Sequence, residues 1–206
     1  MLETCCSLMV EAYHKSLMTS RDGNVSVRYE KDNHFWITPT NVRKHTLQPD
    51  QFKKLSVELD QDGQIVELPY TTISSNLRPS GEYPAHYHLQ KRLPSGCEQR
   101  VVMHVHSTYT LAALERKISL ENFHLKFPEI SRYTRVAPSI PRIPAVSQEL
   151  GDAVASHLGL KDDGSTLYDI VAIEGHGVFS VDKTPWRAFE HIERVEHVSK
   201  ILVLAN

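Results

Sequence analysis

The sequence predicts an α/β domain, with a mainly antiparallel sheet and helices packed on it. Three observations carry that expectation. Two hairpin patterns lie in the first third of the chain, at residues 25–38 and 55–68. Two short apolar runs, 101–106 and 167–173, read as buried strands. Amphipathic helical spacing opens and closes the chain, at 2–17 and 184–204. With 206 residues and 40% hydrophobic content, residues 1–206 are enough for one domain with a sizeable core.

The elements follow in order. Residues 2–17 place Leu2, Cys5, Cys6, Met9, Val10, Tyr13 and Leu17 at helical spacing, and the polar cluster 19–24 ends that helix. Residues 25–29 (VSVRY) alternate as a strand, 31–33 turn, and 34–38 (HFWIT) return; 39–44 form a loop. A second hairpin joins 55–59 to 64–68 around 60–63. Residues 74–81 read as a loop and 82–92 as a helix, with Pro84 tolerated in its first turn. Residues 100–106 form the central strand, 108–115 a helix, and 121–127 a short helix. Pro138, Pro141 and Pro144 make 135–146 an extended loop or sheet edge. Ser147 caps a helix over 147–158, with Leu150, Val154 and Leu158 on one stripe. A buried strand over 167–173 runs into Glu174-Gly175-His176-Gly177, and 178–181 continues extended. The last helix has Thr184 as N-cap and Pro185 at its first position, with Glu190 and Arg194 spaced to pair.

Composition excludes several classes. Net charge is −2 and the Lys and Arg residues are scattered, so nucleic acid is not the expected partner. The apolar runs are too short and too charged to span a bilayer, and the first residues lack the pattern of a signal peptide. Cys5, Cys6 and Cys97 have no metal-site spacing, which points to a reduced, cytoplasmic setting.

The chemistry gathers at residues 101–106 (VVMHVH). Side chains two apart on a strand share a face, so His104 and His106 project together while Met103 and Val105 face the other way. Both imidazoles can then reach one ion. His176, between two glycines after a buried strand, is the best third ligand. Three His with an open fourth position is the pattern of a catalytic zinc site acting as a Lewis acid. Glu82 follows Arg78-Pro79-Ser80-Gly81 at a helix start, where a base could stand and where free N–H groups suit an anion. Each signal has a plainer alternative: satisfied strand-end histidines, a His in a turn, a Glu that stabilises its helix, and simple turns at Asp22-Gly23-Asn24 and Thr40-Asn41. The remaining histidines are weaker candidates; His86 and His88 diverge by about 200° on a helix.

Together, His104-Val105-His106, Gly175-His176-Gly177, the stretch from Gly23-Asn24 to Arg28, Ile37-Thr38-Pro39-Thr40 and Arg78-Pro79-Ser80-Gly81-Glu82 occur in the order of the class II aldolase/adducin family, which the chain resembles over nearly its whole length. The resemblance implies a three-layer α/β/α sandwich around a mostly antiparallel sheet, as a homotetramer with sites at subunit interfaces. It implies Zn2+, or another divalent metal such as Mn2+ or Co2+, on His104, His106 and His176, with Glu82 as acid/base. It also implies a substrate phosphate on Asn24, Thr40 and Asn41, Ser80 and Gly81. Two positions depart from the aldolase pattern, which has glycine where Asn41 stands and a second serine where Gly81 stands. The aldolase's neighbouring-subunit tyrosines have no clear counterpart beyond Tyr133.

The function expected from this resemblance is metal-dependent retro-aldol cleavage of a sugar phosphate or sugar-acid phosphate through a metal-stabilised enediolate. Decarboxylation of a 3-oxo sugar acid phosphate, epimerisation and dehydration use the same intermediate; the epimerase has Asp in place of Glu82. The different-class alternative is a non-enzymatic, adducin-like binding module, which lacks the metal histidines. A cupin would need Glu where Thr110 or Leu111 stands.

Overall fold

The computed structural model describes residues 1–205. The strands are β1 (Asn24–Tyr29), β2 (His34–Ile37), β3 (Lys53–Leu59), β4 (Ile65–Leu68), β5 (Gln99–Val105), β6 (Ile170–Ile173) and β7 (Gly177–Asp182). The α-helices are α1 (Leu2–His14), α2 (Thr72–Ser75), α3 (Tyr83–Gln90), α4 (Thr108–Glu115), α5 (Phe123–Lys126), α6 (Ile130–Tyr133), α7 (Gln148–His157) and α8 (Pro185–Ala205). The strands form one 7-stranded sheet in the order β4-β3-β2-β1-β5-β7-β6, antiparallel at each pairing.

Alternation along β5 sends its residues into two cores. Val101, Met103 and Val105 join Val25 and Val27 beneath α1, α4 and α8, where Met9, Leu114, Phe189 and Ile192 pack. Val102 faces the opposite way with Phe179 and Val171, beneath Leu89 of α3 and Leu150 and Val154 of α7. Helices on both faces of an antiparallel sheet give the expected three-layer sandwich. Each fully buried side chain of this kind contributes about 1.5–3 kcal/mol, so the central strand is firmly held. His104 lies on the α3–α7 side, stacked on Phe179 with ring centroids 4.2 Å apart.

Several boundaries differ from the sequence expectation. The first helix stops at His14 rather than residue 17, because Ser16 turns left-handed (φ 59) and Leu17 N–H closes back on Ala12 O at 2.9 Å. Part of the expected 74–81 loop is helical, since Thr71 and Ser74 make a capping box at the start of α2. The strand expected from 167 begins at Ile170: Leu167 and Tyr168 donate to Leu158 O, and the Asp169 carboxylate accepts from Arg135 N–H at 2.7 Å. Helix α6 had no periodic signal. The proline-rich segment runs beside β6 as an edge, with parallel bridges from Val136 to Ile170 and Ile140 to Ile173.

Two loops meet at one corner of the sheet. Thr40 N–H bonds Arg78 O at 2.9 Å and Ser80 N–H bonds Thr38 O at 3.1 Å, setting 38–41 against 78–81. Beneath them the buried Lys44 ammonium donates to the carbonyls of Arg21 and Val42, both at 3.2 Å. Asn41 is left-handed, with φ 60. Asn tolerates that conformation where a β-branched residue does not. Asn41→Val is therefore expected to cost about 1–2 kcal/mol in urea denaturation, while Asn41→Gly stays within about 0.5 kcal/mol of wild type.

Candidate metal centre

Strand register builds the centre. Asn24 of β1 lies opposite His104 of β5, so both side chains emerge on one face, and Val105 pairs with Val178 just past the Gly175-His176-Gly177 turn. Gly177 is required there: a Cβ on it would stand 2.9 Å from His104 Cε1 and 3.0 Å from His106 Cδ2. The turn thus carries His176 across to the strand pair. One ligand nitrogen from each of His104, His106 and His176 lies within 4.8 Å of the others.

The ring nitrogens and the Glu82 carboxylate face one another across a short gap. His104 Nδ1 is 2.9 Å from Val178 O, an obligate acceptor, so Nδ1 carries the hydrogen and Nε2 presents a lone pair. That Nε2 is 3.0 Å from His106 Nε2 and 3.1 Å from Glu82 Oε2. Glu82 Oε1 lies 2.7 Å from His176 Nε2. Imidazole lone pairs and a carboxylate converging on one point suit a divalent cation, and a backbone carbonyl fixing a ligand's tautomer is the usual outer support of such a site. Asp22 lies 3.7 Å from His106 Nδ1 and can support the second ring in the same sense. Among the described residues, His176 Nδ1 has no partner; the ring is held through Nε2 by the Glu82 carboxylate.

Protonation fits this picture. Burial lowers the pKa of His104 to about 3, with the neighbouring rings adding to the effect, and burial also lowers that of His106. Both therefore stay available as ligands well below the ordinary imidazole range. Burial alone would raise the Glu82 carboxyl, but His104, His176 and Asn24 outweigh it and hold the group below the usual carboxylate range, as the base.

Behind Glu82 lies a buried polar chain. Asn24 Nδ2 donates to Glu82 Oε2 at 2.7 Å, and Asn24 Oδ1 accepts from His86 Nε2. His86 Nδ1 is 2.7 Å from Ser26 Oγ, and Ser26 Oγ accepts from Gln90 Nε2 at 2.9 Å. His86 was not singled out by the sequence except as a poor metal ligand. Its i,i+4 spacing from Glu82, which puts both on one helix face, was the available signal. Burial lowers the His86 pKa to about 4. The unfolded chain takes up that proton near pH 6.5 and the folded one does not. Stability therefore falls as pH drops from about 6.5 to about 4, by about 1 kcal/mol per pH unit. Denaturation of the metal-free protein at pH 7, 6 and 5 should show at least this slope, because buried His104 and His106 add to it in the same sense, and His86→Gln should make it shallower by the His86 share.

The residues expected to hold phosphate lie around the same corner. Ser80 Oγ accepts from Glu82 N–H at 3.4 Å and Tyr83 N–H turns back to Ser80 O, so part of the α3 N-terminus is used internally. Among the described residues, the N–H groups of Asn41 and Gly81 have no partner in the chain. Gly81 has a packing reason to lack a side chain, since a Cβ would lie 2.8 Å from Val146 Cγ1. Asn24 differs from expectation in that its amide is turned to Glu82 and His86. Tyr133 stands elsewhere, exposed and under the Arg194 guanidinium at 5.3 Å. A cavity of about 460 Å³ opens beside His106, lined by Tyr13, Met18, Thr19 and Thr108.

Residues 3–203 match the family described as class II aldolase and adducin N-terminal domain. The chain belongs to that family. Among its relatives, methylthioribulose-1-phosphate dehydratase of Kluyveromyces lactis is 24% identical, over 97% of this chain and 93% of the relative. L-fuculose phosphate aldolase of Methanococcus vannielii is 23% identical, over 92% and 88%. Solved class II aldolase folds superpose closely. The sugar-phosphate aldolase from Thermotoga maritima gives a TM-score of 0.77 at 19% identity, covering 98% of this chain and 94% of that one. L-fuculose-1-phosphate aldolase from Thermus thermophilus gives 0.74 at 20%, covering 98% and 92%. Among the described residues, no helix is long and apolar enough to cross a membrane.

Proposed function

We propose that this chain is a divalent-metal-dependent lyase that cleaves a carbon–carbon bond of a sugar phosphate or sugar-acid phosphate in the retro-aldol sense. The observation that carries the reading is the Glu82 carboxylate, ionised and buried, meeting His104 and His176 at the point where the three imidazoles converge. His104, His106 and His176 would hold the ion, zinc or another divalent metal such as manganese or cobalt. When bound, it supplies Lewis-acid stabilisation of the negative charge left beside a carbonyl as the bond breaks.

The protein's own groups do the rest. The unpartnered N–H groups of Asn41 and Gly81, with the Thr40 and Ser80 hydroxyls, bind the phosphate and fix the substrate's register. Glu82 moves the proton at the carbon next to the carbonyl, held there by Asn24. Sites at the interfaces of a homotetramer, in a reduced cytoplasmic setting, complete the proposal. Convergent imidazoles favour an enzyme over an adducin-like binding module.

A second reading, dehydration of a sugar phosphate, is favoured by the curated relatives named methylthioribulose-1-phosphate dehydratase, at 24% and 25% identity. Both readings pass a proton at the carbon beside the carbonyl. Retro-aldol cleavage takes the proton of the β-hydroxyl and returns one to that carbon, whereas dehydration removes a proton from it and expels the β-hydroxyl as water. Incubating the zinc-loaded protein with a panel of phosphorylated ketoses and sugar acids distinguishes them. Retro-aldol cleavage releases an aldehyde, dehydration yields a dicarbonyl product without chain cleavage, and decarboxylation releases CO₂. No turnover across the panel by metal-replete protein contradicts the lyase proposal.

A further inference from the structure

We propose that His86 is a positioning residue, which through Asn24 sets the orientation of the Glu82 carboxylate. The inference rests on the reading of Glu82 as the proton-transfer group. The directions of the hydrogen bonds are fixed from both ends of the chain. At one end Glu82 can only accept, so Asn24 must present Nδ2 to it and turn Oδ1 away. Asn24 Oδ1 can only accept, so His86 Nε2 must carry the hydrogen. At the other end Arg100 O can only accept, at 3.4 Å, so Gln90 must present Nε2 there and to Ser26 Oγ. Ser26 then donates its own hydrogen to His86 Nδ1, 2.7 Å away. The imidazole is thus a neutral Nε2–H tautomer held between a donor and an acceptor.

Burial makes this arrangement specific. His86, Ser26 and Gln90 are fully buried, and Asn24 and Glu82 nearly so. Water is not at hand to replace a lost partner, and a buried polar network of this kind responds as a unit. The His86 ring also packs edge-on against Phe179, which in turn stacks on His104. Removing its N–H would free the Asn24 amide to flip, which would turn Oδ1 toward the carboxylate and displace it. The ion's own ligands would be untouched.

The test uses zinc-loaded protein and exchange of a hydroxymethyl proton of dihydroxyacetone phosphate, a minimal ketose phosphate, in D₂O. His86→Phe keeps a planar aromatic ring at this buried position, somewhat larger than the imidazole, and removes both hydrogen bonds. It is expected to lower kcat for exchange by about 10–100-fold, with KM within about threefold and zinc content unchanged. His86→Gln restores an N–H near Nε2 and is expected to recover most of the rate. Exchange by His86→Phe within twofold of wild type, or a His86→Gln no better than His86→Phe, overturns the proposal. A second measurement does not depend on the variants folding. Long-range ¹H–¹⁵N spectra of the wild type should show His86 as the neutral Nε2–H tautomer at pH 7, and an Nδ1–H tautomer or an imidazolium overturns the proposal. If wild-type protein exchanges no proton, dihydroxyacetone phosphate is not its substrate, exchange is read instead with the phosphorylated compound the panel identifies, and the tautomer still decides the direction of the chain.

Discussion

Glu82→Gln is expected to lower kcat by about 10²–10⁴-fold, the range associated with loss of a general acid–base group, while the ion stays bound. The substitution is close to isosteric. Its amide oxygen can still accept from Asn24 Nδ2, the bond that now measures 2.7 Å. The three imidazoles keep their supports, above all His104 on Val178 O. What is lost is the basic carboxylate that His104, His176 and Asn24 keep ionised against the effect of burial. Turnover and metal content should therefore separate: metal analysis near wild type, product formation almost absent. Full activity in a metal-replete Glu82→Gln protein would remove Glu82 from the mechanism.

The second large effect is expected at His176. His176→Ala should weaken divalent-metal affinity by more than about 100-fold, beyond the 10–100-fold usual for a residue that only orients a ligand. His176 is the clean choice because it stands on a turn, whereas His104 is wholly buried against Phe179 and its loss also opens the core. A ligand that binds only the folded state stabilises it by about 2.7 kcal/mol at 100 times its Kd. Saturating zinc should accordingly raise the Tm of stripped wild-type protein and leave that of His176→Ala almost unmoved. Equal zinc-induced shifts in the two proteins would place the ion elsewhere.

The parts of the fold legible in the sequence were those set by local periodicity. The alternation in VVMHVH placed Met103 and Val105 in one core and His104 with His106 on the other side, because a strand repeats every two residues. Thr184 and Pro185 marked the start of α8, and Ser147 that of α7, where its hydroxyl accepts from Leu150 N–H at 3.0 Å. Elements without a period or governed by contact were not legible. The end of α1 depends on a left-handed serine, and α6 is a single turn. At the site, the residue types and the glycines flanking His176 pointed to an ion, but the convergence comes from the β5–β7 register, which no local pattern records. From the resemblance Asn24 was expected to hold phosphate, and its turn by itself suggested no role. Its amide is engaged by Glu82 and His86, from a helix some 60 residues away in sequence, at separations of 58 and 62. His86 was weighed against His88, its neighbour in sequence, when its relevant partner on the helix was Glu82, one turn earlier.

The central claim is that His104, His106 and His176 share one divalent ion. X-ray absorption on protein stripped with chelator and reloaded with one equivalent of zinc tests it most directly. The account predicts three imidazole nitrogens at about 2.0–2.1 Å with oxygen donors completing the shell. A sulfur shell at about 2.3 Å, or a spectrum with fewer than two imidazoles, would contradict it.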